Sequence, residues 1–204
     1  MDIIEGVHNQ LTNQYTLHSG PECFLSEPVY RSDLSRLLGT KCTSSTGDDS
    51  GCAFLDTDPR SYGRNFNNGN GGVYAYLWDD EGVSVHRFFR GNIPSDITAK
   101  KPEPSTWPPP AAFFAFSSRS CNMKSHFYGH TLVLDICLCG DYAGPTYQKS
   151  GCPGTCGEAV ANRTNFQSKP SFWMNIVLTL NHYLFKPPSG KSITSLFTSS
   201  VFMR

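Results

Sequence analysis

Short alternating runs, each stopped by a cluster of glycine, aspartate or proline, constrain this 204-residue chain more than any other feature. Tyr15–His18, Gly72–Trp78, Val83–Phe89 and Thr131–Leu138 all read as strands of period two. In the last of them Leu132, Leu134, Ile136 and Leu138 share one face and Thr131, Val133, Asp135 and Cys137 the other, so one face is core and the other partly wet. No helical periodicity is sustained, and the best short helix candidate is Asp33–Leu38 after Ser32. Proline density between Lys100 and Pro110 forbids regular structure, which makes Trp107-Pro-Pro-Pro an extended surface crossover. With 18 Gly, 14 Pro and 13% aromatic residues, the pattern predicts an all-β domain, a sandwich or a barrel. The length suits one domain. From 183 to 204 the chain has three basic residues, no acidic one and interleaved Ser and Thr, and it reads as a poorly ordered basic tail behind a domain of residues 1–182.

Lys plus Arg balance Asp plus Glu at 17 each, so no basic field recruits nucleic acid or an anionic membrane, and a neutral partner is expected. No stretch approaches 18 uninterrupted apolar residues, so no span of a bilayer is expected. The eight cysteines, Cys23, Cys42, Cys52, Cys121, Cys137, Cys139, Cys152 and Cys156, are even in number and read as disulfides of a secretory lineage. Zinc is the competing reading, with Cys137 and Cys139, then Cys152 and Cys156, as two ligand pairs, although the first spacing is tight for a zinc knuckle. Asn162-Arg163-Thr164 is an N-glycosylation triplet and agrees with secretion. Met1-Asp2-Ile3-Ile4-Glu5 has neither a basic start nor an apolar core, so this sequence shows no signal peptide.

Retaining glycosidases need two carboxylates converging on one cleft, and a bulged strand reading Glu-x-Asp-x-x-Glu supplies them. Asp2 through Gln10 resembles the second part of that motif in the fungal β-glucan hydrolases of glycoside hydrolase family 16, which reads Gly-Glu-Ile-Asp-Ile-Ile-Glu-Gly. Thr16-Leu17-His18 is similar to the family's Thr-Leu-His element, and residues 66–75 to its Gly-rich turn and following strand. Arg90 through Ile97 resembles Arg-Gly-Ser-Ile-Pro-x-Asp-Ile, and Ser125 through His130 resembles Ser-His-Phe-x-x-His. Cys139-Gly-Asp-Tyr-Ala-Gly144 and Gly151-Cys-Pro-Gly-Thr-Cys156 are similar to Cys-Gly-Asp-Trp-Ala-Gly and Gly-Cys-Pro-Gly-Thr-Cys, with residues 171–180 standing in for the closing strand.

The resemblance implies a concanavalin-like jelly-roll sandwich lacking its N-terminal strands, secreted in the parent family, and acting on β-1,3/1,4-glucan without metal or cofactor. It assigns Glu5 as acid/base, Asp2 as its electrostatic neighbour, and His18, Trp78 and Tyr142 as residues lining the cleft. The nucleophilic glutamate would stand two residues before Asp2, one position ahead of Met1, so little or no activity is expected of these residues alone. The endo-1,3(4)-β-glucanase reading therefore competes with a non-catalytic β-glucan-binding or interaction protein. The departures bear on the cleft and the core. Leu77 replaces a glutamate before Trp78, and Tyr142 replaces a tryptophan. His86 and Arg87 replace apolar residues and put potential charge on a face that should be buried, a mark of relaxed constraint or of an altered sequence. A sandwich short of strands also exposes edges that invite self-association.

Overall fold

The computed structural model describes residues 1–167 apart from 31, 118, 132, 134 and 136, and the backbone of 175–181 and 195–202. Two antiparallel sheets form the sandwich. The first contains β1 (Asp2–Glu5), β2 (Gln14–Leu17), β3 (Ser35–Gly39) and β4 (Cys52–Asp56) in the order β1-β2-β4-β3. The second contains β5 (Gly72–Asp79), β6 (Gly82–Phe89), β7 (Ala112–Ala115), β8 (Asn175–Asn181) and β9 (Ser195–Phe202) in the order β7-β6-β5-β9-β8. Among the described residues, short α-helices punctuate the loops: α1 (Gly63–Asn68), α2 (Ser95–Thr98), α3 (Met123–His126), α4 (Gly140–Thr146), α5 (Cys156–Ala161) and α6 (Thr164–Gln167).

Alternation decides which side chains meet. Tyr15, Leu17 and Phe54 from the first sheet pack against Tyr74, Tyr76, Val83, Val85 and Phe114 from the second, and the rings of Phe54 and Phe114 meet edge to face at 5.1 Å. Fully burying each of these large side chains contributes about 1.5–3 kcal/mol. On the outer face of the second sheet Val73, Ala75 and Phe88 form a smaller cluster with Ile97, Ile93 and Trp107. The proline-rich segment is therefore a cover for that face: Pro104–Thr106 makes a single 3-10 turn, and Trp107 follows in extended backbone.

Two expectations change. Asp33–Leu38 is not helical, because Ser35–Gly39 pairs with β4 and Ser35 Oγ donates to the Ala111 carbonyl, so tertiary pairing overrides a weak local preference. Of the strand expected at Thr131–Leu138, residues 131, 133, 135, 137 and 138 lie exposed and outside any strand, while 132, 134 and 136 lie outside the described residues. β9 falls inside the stretch read as a tail and runs between β5 and β8.

The charges at 86 and 87 are accommodated, each by a different device. Arg87, opposite Tyr74, points into the sandwich, where its Nε and terminal nitrogen donate to both carboxylate oxygens of Asp56 at 2.8 and 3.2 Å. Asp56 Oδ2 also accepts from the Tyr15 hydroxyl at 2.7 Å, so a buried carboxylate on β4 is satisfied from both sheets. His86 faces the outer cluster, and its Nδ1 donates to the Pro108 carbonyl at 3.2 Å.

Disulfides join Cys23 to Cys121, Cys42 to Cys52 and Cys139 to Cys156. Cys137 and Cys152 are free thiols, so the pairs weighed as zinc ligands are split. No helix among the described residues is long and apolar enough to cross a membrane.

Candidate active site

Asp2 and Glu5 are three residues apart, which on a regular strand would put them on opposite faces. Here Asp2 pairs with Thr16 and Glu5 with Gln14, so between these pairs two residues of β1, Ile3 and Ile4, oppose the single Tyr15 of β2, and the bulge returns both carboxylates to one side. The buried Asn13 amide holds the irregular stretch. Its Oδ1 accepts from the Glu5 backbone N–H at 3.0 Å, and its Nδ2 donates to the Ile3 carbonyl at 2.9 Å. Gly6 follows because a Cβ there would stand 2.7 Å from the Tyr62 ring, which closes over the end of β1 and donates its hydroxyl to the Gly6 carbonyl at 3.3 Å.

Positions 14, 16 and 18 share the face of this part of the chain turned toward the carboxylates. Thr16 Oγ1 donates to Glu5 Oε2 at 2.5 Å and Gln14 Nε2 donates to the same oxygen at 3.0 Å. Burial raises the Glu5 carboxyl above its usual range; the Thr16 hydrogen bond opposes this and the Asp2 charge adds to it. Glu5 is thereby biased toward holding its proton. His18 sits between acids, with Nε2 at 3.2 Å from Asp2 Oδ2 and Nδ1 at 3.0 Å from Ser44 Oγ and 3.3 Å from Asp49 Oδ1. The bond to Asp2 raises the imidazole, against a smaller opposing effect of burial. Gly51 gives this ring room, because its φ is +63° and a Cβ would meet the Leu17 carbonyl at 2.6 Å and His18 Nδ1 at 2.9 Å.

α4 brings Tyr142 to the same place. Its hydroxyl donates to Gln14 Oε1 at 3.4 Å, so one glutamine touches both the acid and the aromatic ring. Beside it lies a cavity of about 390 Å3 lined by Val7, His8, Asn9, Gln10, Tyr142 and Thr146, among others. His8 closes its wall, with Nε2 2.9 Å from Thr146 Oγ1. The Thr146 hydroxyl in turn donates to the Tyr142 carbonyl at 2.8 Å.

Asp2, Glu5, His18 and Tyr142 thus converge. Trp78 stacks on His130 at 4.8 Å and packs against the main core, and no hydrogen bond or ring contact among the described residues joins it to the other four. Gln14, Asn13, Tyr62 and His8 escaped the sequence reading. Gln14 was within its reach, since strand alternation places it two residues before Thr16. No group of acidic, histidine or cysteine side chains suited to a metal ion occurs among the described residues.

A family model described as the XgeA-like, catalytic GH16 domain matches residues 1–178. A probable glycosidase of Schizosaccharomyces pombe is 36% identical over 165 residues, covering 79% of this chain and 39% of that protein. The endo-1,3(4)-β-glucanase xgeA of Emericella nidulans is 34% identical over 155 residues, 75% of this chain and 22% of the relative. The chain therefore spans well under half the length of these relatives. Laminarinase 16A from Phanerochaete chrysosporium, solved with two β-glucans in its donor and acceptor sites, superimposes with a TM-score of 0.71 at 33% identity, covering 79% of this chain and 55% of that one. An elongating family 16 β-1,3-glucosyltransferase gives a TM-score of 0.70 at 28% identity over 97% of this chain and 60% of the other. With a bulged acid strand, a convergent cleft and a family match across residues 1–178, the chain belongs to the XgeA-like branch of glycoside hydrolase family 16.

Proposed function

We propose that this domain is the acid/base half of a retaining endo-1,3(4)-β-glucanase site, with Glu5 as the proton donor. The observation that carries the reading is the pairing of hydrogen bonds at Glu5: both donors meet Oε2, which leaves Oε1 to carry the proton toward a glycosidic oxygen. Burial raises the Glu5 carboxyl and so favours the protonated form that a proton donor needs. Asp2, committed to His18, supplies negative charge beside Glu5 and stabilises the positive charge that develops on the sugar ring. Retaining hydrolysis also needs an attacking carboxylate about 5–5.5 Å from the acid. The family pattern places it two residues ahead of Asp2, on the same strand face, and residues 1–204 contain no carboxylate at that point. A polypeptide of these residues alone is expected to bind glucan without turning it over.

Tyr142 offers a ring at the mouth of the cavity for the apolar face of a glucose unit, and the resemblance assigns Trp78 to the same cleft. Three disulfides support maturation in an oxidising, secretory compartment. The edge strands β1 and β3 carry Ile4 and Leu38, 36% and 43% exposed, which supports self-association of the isolated domain.

The test is calorimetric titration of residues 1–204 with a laminari-oligosaccharide. Binding is expected to survive Glu5→Gln and to weaken about five-fold in Tyr142→Ala, as the loss of roughly 1 kcal/mol of ring contact requires. Absence of binding in material with its disulfides formed would overturn the reading.

A further inference from the structure

We propose that Asn162 is an N-glycosylation site, accepting an oligosaccharide from a polyprenyl-pyrophosphate-linked donor. Asn162-Arg163-Thr164 is the only Asn-x-Ser/Thr triplet in the 204 residues, and the middle residue is not proline. A triplet alone is weak; what this one adds is its surroundings. Asn162 caps the C-terminus of α5, and residues 161 to 165 are all exposed. The fold uses the backbone N–H, which donates to the Glu158 carbonyl at 3.1 Å, and the backbone carbonyl, which accepts from Asn165 N–H at 3.0 Å. It also uses Oδ1, which accepts from Thr164 N–H at 3.1 Å and from Thr164 Oγ1 at 2.7 Å. Nδ2, the atom that would be modified, donates no hydrogen bond among the described residues. Exchanging one of its hydrogens for a sugar carbon therefore removes no bond on which the fold depends.

The step balances without any redox partner. The Nδ2 nitrogen forms a bond to C1 of the first sugar, the C1–oxygen bond to pyrophosphate breaks, and the pyrophosphate leaves with the electron pair. The displaced amide proton goes to a base of the transferase. The three disulfides agree with maturation in the oxidising lumen where such donors are used. Transfer onto a nascent chain precedes folding, so the contribution of the folded geometry is compatibility. A glycan at Asn162 projects into solvent from the end of α5, and none of Val7, His8, Gln10, Tyr142 or Thr146, which line the cavity, lies within the triplet.

The experiment translates residues 1–204 behind a secretion leader in the presence of eukaryotic microsomes, with import scored separately by protease protection. Protected chain is expected to migrate as a heavier species that collapses on treatment with peptide-N-glycosidase. In heavy-oxygen water that digestion should leave labelled aspartate at position 162. Asn162→Gln and Thr164→Ala should abolish the heavier species, and Thr164→Ser should retain part of it. Protected wild-type chain without the shift overturns the proposal, as does a shift that persists in Asn162→Gln. Glucan binding plays no part in this readout, so the two proposals fail independently.

Discussion

Acid should weaken this fold through His86, and His86→Phe should remove most of that weakness. The side chain lies on the outer face of β6 and is 6% exposed. Its ring stacks on Phe88 at 6.2 Å, meets Trp107 edge-on at 5.2 Å and donates Nδ1 to the Pro108 carbonyl at 3.2 Å. Burial pushes the imidazole down from 6.5 to about 4, and the hydrogen bond to Pro108 only partly opposes it. The sign follows from proton counting. Between those two values the unfolded chain binds a proton that the folded chain refuses, so stability is greatest above the unfolded value and drains away as the pH falls toward the folded one. At about 1.36 kcal/mol per pH unit, the interval amounts to roughly 3 kcal/mol. That is a large share of the 5–15 kcal/mol typical of a domain. Phenylalanine keeps the ring contacts and cannot titrate; it forfeits one hydrogen bond, about 1 kcal/mol at neutral pH. Asp96, which accepts from the Trp107 indole at 2.7 Å, titrates in both proteins and cancels in the comparison. Urea unfolding at pH 7.5 and 4.5 measures the difference. The wild type should lose about 2–3 kcal/mol more than His86→Phe between the two conditions. Equal losses would refute the assignment of a buried neutral imidazole.

Arg87→Met strands a carboxylate whose side chain is fully buried, so it should cost about 3–5 kcal/mol, and adding Asp56→Asn should recover a substantial part of that in a double-mutant cycle. Equal costs for the single and the double substitution would contradict the ion pair. Thiol titration of the native, unreduced chain should find two reactive thiols, Cys137 and Cys152, and six blocked cysteines. A count of eight would contradict the disulfide framework.

Much of the site was written in the sequence because its parts are local. Asp2 and Glu5 lie within one strand, and the need for a bulge follows from their spacing. Gln14 lies two residues before Thr16, and it too is legible once β2 is recognised. α5 announces itself in Thr155-Cys-Gly-Glu158, where Thr155 and Glu158 make a reciprocal capping box. Other features depend on partners remote in sequence. Arg87 looked misplaced because Asp56 stands 31 residues earlier and in the other sheet, and His86 looked misplaced because its cover arrives 22 residues later. The strand at Ser35–Gly39 is fixed by pairing with β4, which a local helix signal cannot anticipate. Asn13 has no signature at all, since its role exists only once the bulge has formed.

The role of Glu5 can be read from laminarin hydrolysis by the chain extended at its start, with Gly-Glu-Ile and the preceding family segment in place of Met1. Residues 1–204 alone should give no turnover. The extended chain should show measurable endo-glucanase activity, lost by a factor of about 100 or more in Glu5→Gln, the range expected for removal of a general acid. An extended chain that folds and forms its disulfides yet is as inactive as its Glu5→Gln variant would contradict the assignment of Glu5.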